Sequence, residues 1–190
     1  MTAYVIAKYL HVVGALGMFL ALGLEWATLV QLRRAQTAEQ VREWAWVGAW
    51  LRWLGPLALL AVLVPGFYMM ATVWRDGAPW IGPAFAALII VAVLGALGGR
   101  RLSGAIRAGL AEHGRLSDAT RISLRAPFPW ISLQVRAALL LAIVFMMTAK
   151  SDLNDALWAL GAALLAAGVT SVLGLRPTME TATAAEGAQP

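Results

Sequence analysis

Lys8, His11 and Glu25 are the residues of the first long apolar stretch that could do chemistry, and their spacing puts them together. At about 100° of helical rotation per residue, Tyr4, Lys8, His11, Ala15, Met18, Leu22 and Glu25 fall within about a third of one helix circumference. Ionisable side chains are costly against lipid tails, so this face is expected to point into a bundle or toward water. A later stretch, running the opposite way, carries Arg136, Leu140, Ile143, Met147 and Lys150 on one of its own faces. Arg136 is then expected at the depth of Glu25, and Lys150 at the depth of Lys8 and His11. A Glu25–Arg136 ion pair is predicted, with Arg52 as the rival partner; such a pair neutralises and registers two helices. Lys8 and Lys150 are the only lysines in the chain. With His11 between them they suit an anionic partner: a lipid phosphate, a haem propionate or a quinone oxygen. Lysines that merely snorkel toward an interface would account for the same residues.

His11 is the one histidine in an apolar stretch, since His113 lies in a charged connection. A lone histidine cannot supply both axial positions of a bis-histidine haem, but it can ligate iron with a methionine opposite. Met69, Met70, Met146 and Met147 lie at fitting positions in the second and fourth stretches, although methionine there is also ordinary packing material. Other chemistry has little to stand on. There is no cysteine, hence no disulfide, thiolate metal site or iron–sulfur cluster. No HExxH, phosphate-binding glycine loop or Ser/His/Asp set occurs in the apolar stretches, and the carboxylates are too scattered for a di-metal bundle.

These residues must be positioned by helices in lipid. A chain of 190 residues with 61% hydrophobic content, 13% charge and positive mean hydropathy reads as a polytopic, all-α transmembrane bundle. Segments 3–32, 53–74, 80–97, 130–149 and 153–175 are each about as long as the ~20 residues that cross ~30 Å of hydrocarbon. The first lacks the basic start of a secretory signal and is expected to remain as a helix. Thr37 and Gln40 read as a capping box opening a helix over 38–52, either interfacial or an extension of the second span. Gly55-Pro56 and Pro65-Gly66 are expected to loosen or kink that span. Residues 1–176 thus form one bundle domain, and 177–190 are expected to be a disordered tail.

The net charge of +5 is concentrated in two connections. Arg33, Arg34, Arg42 and Arg52 follow the first span, and Arg100, Arg101, Arg107, Arg115, Arg121 and Arg125 follow the third. By the positive-inside rule these face the cytoplasm, so the N-terminus is expected outside and the C-terminus inside. That distribution points to membrane topology, with some attraction for anionic lipid, and away from nucleic acid. Trp26, Trp44, Trp46, Trp50, Trp53 and Trp130 would lie at the inner interface, and Trp74, Trp80 and Trp158 at the outer.

The run Lys8-Tyr-Leu-His11, followed by the glycine-rich stretch Gly14 to Gly23, resembles the opening of a loose superfamily of small bacterial integral membrane proteins. It includes CopD-like copper-resistance proteins, HemJ-type protoporphyrinogen oxidases and an uncharacterised branch. Pro65-Gly66-Phe-Tyr68-Met69 and Met146-Met147-Thr-Ala-Lys150 look most like that last branch. The resemblance implies residence in the bacterial inner membrane and, by the HemJ type, haem binding at His11 with Lys8 nearby. Glu25-Trp26-Ala stands where that type carries aromatic and Leu-Pro-Arg elements, which points away from the oxidase activity itself. The expected function is a redox protein holding haem b, or meeting a quinone, in the outer half of the bundle. Its site would use His11, Lys8, Lys150, Met69 and Met147, with His11 as axial ligand or hydrogen-bond donor. The alternative is a non-catalytic helical subunit packed in a homo-oligomer or larger membrane complex.

Overall fold

The structure, a computed structural model, describes residues 2–74, 78–150 and 152–186, with side chains as far as 174. Its helices are α1 (Ala3–Arg34), α2 (Ala38–Val73), α3 (Ile81–Ala111), α4 (Asp118–Leu124), α5 (Pro127–Ala149) and α6 (Leu153–Glu186). Five segments are long and apolar enough to cross a bilayer, α4 and α5 counting together as one, and the chain is a multi-pass membrane bundle. The arginine-rich connections α1–α2 and α3–α5 lie at one end, called here the basic end. The connections α2–α3 and α5–α6 lie at the other, the lysine end.

α1 is continuous because Ala, Leu, Gly and Val dominate it and no proline interrupts its hydrogen-bond ladder. Its buried positions Ala7, Gly14, Met18, Ala21, Thr28 and Leu32 follow a spacing of three and four, or seven, residues, so one narrow seam faces the partner helix. That partner is α2. A Cβ on Gly14 would stand 2.7 Å from the Ala61 carbonyl carbon and 2.8 Å from the Val62 nitrogen, and one on Gly17 would stand 3.2 Å from the Ala58 Cβ. The two backbones approach closely only because side chains are missing there.

Thr37 caps α2 as its sequence predicts. Its Oγ1 accepts from the Gln40 N–H at 3.4 Å, and Gln40 Oε1 accepts from the N–H groups of Gln36 and Thr37 at 2.6 and 3.3 Å. Segment 38–52 is not a separate interfacial helix. α2 runs unbroken from Ala38 to Val73 with Pro56 and Pro65 inside it, so the Trp-rich segment is the basic-end extension of the second span.

The third span also differs in extent from the expected 80–97. α3 continues to Ala111, because Leu102, Ala105, Ile106 and Gly109 keep a helical spacing and are buried while the arginines between them face outward. Most of the expected basic loop is therefore helix, and the rest holds α4, capped by Ser117 Oγ on the Thr120 N–H. α6 is helical to Glu186; the proposed tail 177–190 falls on residues whose side chains, and for 187–190 whose placement, lie outside those described.

α1 packs mainly on α2, α5 on α3 and α6, and α2 on α3; α6 touches neither α1 nor α2 among the described residues. The two basic-end connections are joined directly. The Ala38 N–H donates to the Gly114 carbonyl and the Leu116 N–H to the Gln36 carbonyl, both at 2.9 Å, around an isolated antiparallel bridge between Thr37 and Arg115. Of the most completely buried large side chains, Thr28, Leu29, Leu32, Val41 and Ser132 lie at this end or in the middle, and Met146 lies toward the lysine end. At the lysine end α1 is sparsely covered, with Val5, Ile6, Tyr9, Leu10 and Val12 exposed, as suits contact with lipid.

Candidate functional site

His11 lies half-buried in the lysine-end half of α1, against α2. Its Nδ1 is 2.8 Å from the Val62 carbonyl oxygen. A carbonyl can only accept, so Nδ1 carries the proton and donates. Two residues of α2 make the contact available. Pro65 has no N–H for the Ala61 carbonyl and its ring crowds the preceding turn, the turn in which Val62 lies. Gly66 leaves room for the ring, since a Cβ there would stand 3.3 Å from both Cε1 and Nδ1 of His11. Neutral His11 has thereby used its one N–H, and Nε2 keeps a lone pair. What it offers at Nε2 is an acceptor or a metal ligand, oriented by the backbone bond on its far side.

The other expected site residues are arranged less tightly around it. Lys8 is exposed, one turn from His11 toward the lysine end. Lys150 caps α5 in the left-handed region at φ 48°, a conformation more often taken by glycine, and its Nζ lies 5.6 Å from the centre of the Trp74 ring. Trp74 in turn meets Trp80 edge-on at 5.8 Å. Lys150 is thus held at the end of α2, and no contact joins it to Lys8 or His11 among the described residues. Met69 is half-buried and stands three residues beyond Gly66, on the α2 face that meets His11. Met147 is half-buried and packs on the core, whereas its neighbour Met146 is fully buried. No group of three metal-ligating side chains from His, Asp or Glu occurs among the described residues.

Glu25 and Arg136 do meet, with Arg136 Nη2 donating to Glu25 Oε1 at 2.5 Å and side-chain exposures of 8% for Arg136 and 15% for Glu25. The guanidinium also donates through Nε to the Ser132 carbonyl at 3.3 Å. α3 makes the space: a Cβ on Gly95 would stand 3.3 Å from Arg136 Nη1, and one on Gly98 would stand 3.1 Å from Ser132 Oγ. Ser132 Oγ donates to the Leu94 carbonyl at 2.9 Å, tying α5 to α3 beside the pair. Arg52, the rival, is exposed on α2.

The residues that sequence reasoning missed are those that hold others in place. Val62 with Pro65-Gly66 seats His11, and Gly95 with Ser132 seats Arg136. A signal for the first was present, as a proline–glycine pair in a span that must lie beside the only intramembrane histidine. Arg136 belongs to the packing of α1, α3 and α5, while His11 is the one intramembrane side chain with an oriented ring and an unused ligating atom.

Comparison with family models, with curated proteins and with solved structures finds no match for this chain.

Proposed function

We propose that this chain is a membrane redox protein in which His11 presents Nε2 to haem b iron, in the half of the bundle that carries Lys8 and Lys150. The observation that carries the reading is the Nδ1–H bond from His11 to the Val62 carbonyl over the side-chain-free surface of Gly66. Metal-ligating imidazoles are usually held by such a bond through one nitrogen, because it fixes the tautomer and raises the basicity of the other. Lys8 and Lys150 would neutralise propionates near the bilayer surface, and Met69 is the candidate second axial ligand. Bound haem would supply one-electron chemistry. A quinol is the alternative ligand, because its hydroxyl can donate to the same Nε2.

The test is the visible spectrum of protein purified in mild detergent, before and after dithionite and after addition of haem. A Soret and α-band lost in His11→Ala, and weakened in Gly66→Ala, is the expected result. A colourless preparation that takes up no haem, and whose fold is intact by circular dichroism, overturns the haem reading.

A second reading, a non-catalytic subunit of a larger membrane complex, draws on a different observation. α5 and α6 flank a shallow apolar groove lined by Ala138, Ala142, Ala159, Ala163 and Ala166, with Leu141 and Phe145 at its edge. Small residues of this kind let another helix approach closely. Stoichiometric co-purification of a partner chain would favour it.

A further inference from the structure

The buried side-chain polar atoms without a hydrogen-bond partner, among the described residues, are Arg33 Nη1, Arg121 Nε, Trp130 Nε1 and Ser171 Oγ. Three are obligate donors and the fourth can donate. By their positions along α1, α4, α5 and α6, all four belong to the basic end. Buried donors are ordinarily paired, so several unpaired ones in one region call for an acceptor that the described residues do not supply.

Their arrangement specifies that acceptor. The Arg33 guanidinium lies 5.5 Å from the centre of the Trp130 ring. The pyrrole edge of the same ring is pressed on α6, where a Cβ on Gly174 would stand 2.5 Å from Nε1. Ser171 sits one turn before Gly174 on the same side of α6. Trp130 and Ser171 are more than nine-tenths buried, at 9% and 6% exposure. Arg125 joins from the end of α4, its Nε donating to the Arg33 carbonyl at 3.1 Å, which brings a second guanidinium beside the first. Among the described residues neither arginine meets a carboxylate. The ion pairs among the described residues are Glu39–Arg42, Asp118–Arg121 and Glu25–Arg136. The nearby Glu112 carboxylate is occupied by Ser117 and Thr120.

We infer that Arg33 and Arg125 form a binding site for a phosphate oxyanion, with Arg33 held against the Trp130 ring, and that the phosphate belongs to an anionic phospholipid headgroup. Guanidinium pairs match the fork geometry of phosphate oxygens, and the site lies where membrane-spanning helices end, at headgroup depth. It is separate from His11 and does not depend on the redox reading.

The experiment is native mass spectrometry of the detergent-purified chain, titrated with phosphatidylglycerol, phosphatidylcholine or inorganic phosphate. Phosphatidylglycerol should remain bound where phosphatidylcholine does not. Arg33→Gln with Arg125→Gln should lower its affinity by about tenfold or more, the scale of one lost charge-assisted hydrogen bond. Arg100→Gln with Arg107→Gln removes the same charge from exposed positions at the same end and should change affinity by less than about threefold. Equal losses in the two double variants would mean diffuse basic attraction and overturn the site. Displacement of the lipid by millimolar phosphate would overturn the lipid as its source. Arg33→Lys with Arg125→Lys keeps both charges and removes the guanidinium forks; it should weaken phosphatidylglycerol binding by a few-fold, so the site stays testable if the double glutamine variant does not fold, and unchanged binding would overturn the fork.

Discussion

Removing Glu25 should damage the bundle more than removing Arg136, although the two form a single pair. In Glu25→Ala the Arg136 guanidinium, 8% exposed, keeps the Ser132 carbonyl as a partner and loses its only carboxylate. An uncompensated buried charge of this kind costs about 3–5 kcal/mol, and arginine has no neutral form to retreat to. In Arg136→Met the orphan is a carboxyl, which can shed its charge by taking up a proton. The cost then falls toward the ~1–3 kcal/mol of an unsatisfied buried polar group. Replacing both, as Glu25→Leu with Arg136→Met, exchanges a buried pair for apolar packing and should land within about 1 kcal/mol of the parent. The singles should therefore be strongly non-additive, with a coupling of at least about 3 kcal/mol. The assay is unfolding in mixed micelles with a rising fraction of dodecyl sulfate, followed by far-ultraviolet circular dichroism. Arg52→Met serves as the exposed control and should change little. A double variant that loses the sum of the two single effects, or an Arg136→Met as unstable as Glu25→Ala, would refute the reasoning.

Gly14→Ala should destabilise by about 1–3 kcal/mol in the same assay, because its Cβ would meet α2 backbone atoms at 2.7 and 2.8 Å that cannot rotate away. Gly99→Ala on α3, where nothing lies within 4 Å, should instead stabilise by up to about 1 kcal/mol. Reversed signs would place the α1–α2 contact elsewhere. Glu112 titrates below the ordinary carboxyl range, held there first by the Thr120 hydroxyl, then by the Ser117 hydroxyl and N–H. A pKa depressed by folding stabilises the folded loop above the unfolded value, and that support is lost as pH falls through the lower, folded value. Hydrogen-exchange protection over 112–120, taken relative to the intrinsic rate at each pH, should fall below about pH 4 in the parent chain. In Glu112→Gln it should be low already at neutral pH, with little acid dependence.

The depth match between Glu25 and Arg136 was legible because antiparallel helices of fixed rise turn sequence separation into height, and two lone opposite charges in lipid have few other choices. The capping box at Thr37 was legible because its chemistry is local. The extent of α3 was harder to see. Arg100 and Arg101 read as the end of a span, although the ladder of Leu102, Ala105 and Ile106 carries the helix past the hydrocarbon. The partner of His11 was hidden for a different reason. It is a backbone carbonyl, and sequence periodicity describes side chains, so Pro65-Gly66 could be read as a kink but not as the seat of a ring. Lys150 was expected beside Lys8 from height alone. Its left-handed turn and the placing of its Nζ over the Trp74 ring are details of the helix end that residue spacing does not carry.

The short bridge between Thr37 and Arg115 bears on how the chain is assembled. Each half of the bundle begins as a hairpin that a translocation machinery can insert by itself: α1 with α2, and α3 with α5. The two backbone hydrogen bonds flanking the bridge form only if both hairpins have delivered their connections to the same side of the bilayer. A hairpin inserted upside down would leave the carbonyls of Gln36 and Gly114 facing water, with the halves unlatched. The bridge thus ties the two hairpins together at the basic end, while α6 contacts only the second of them among the described residues.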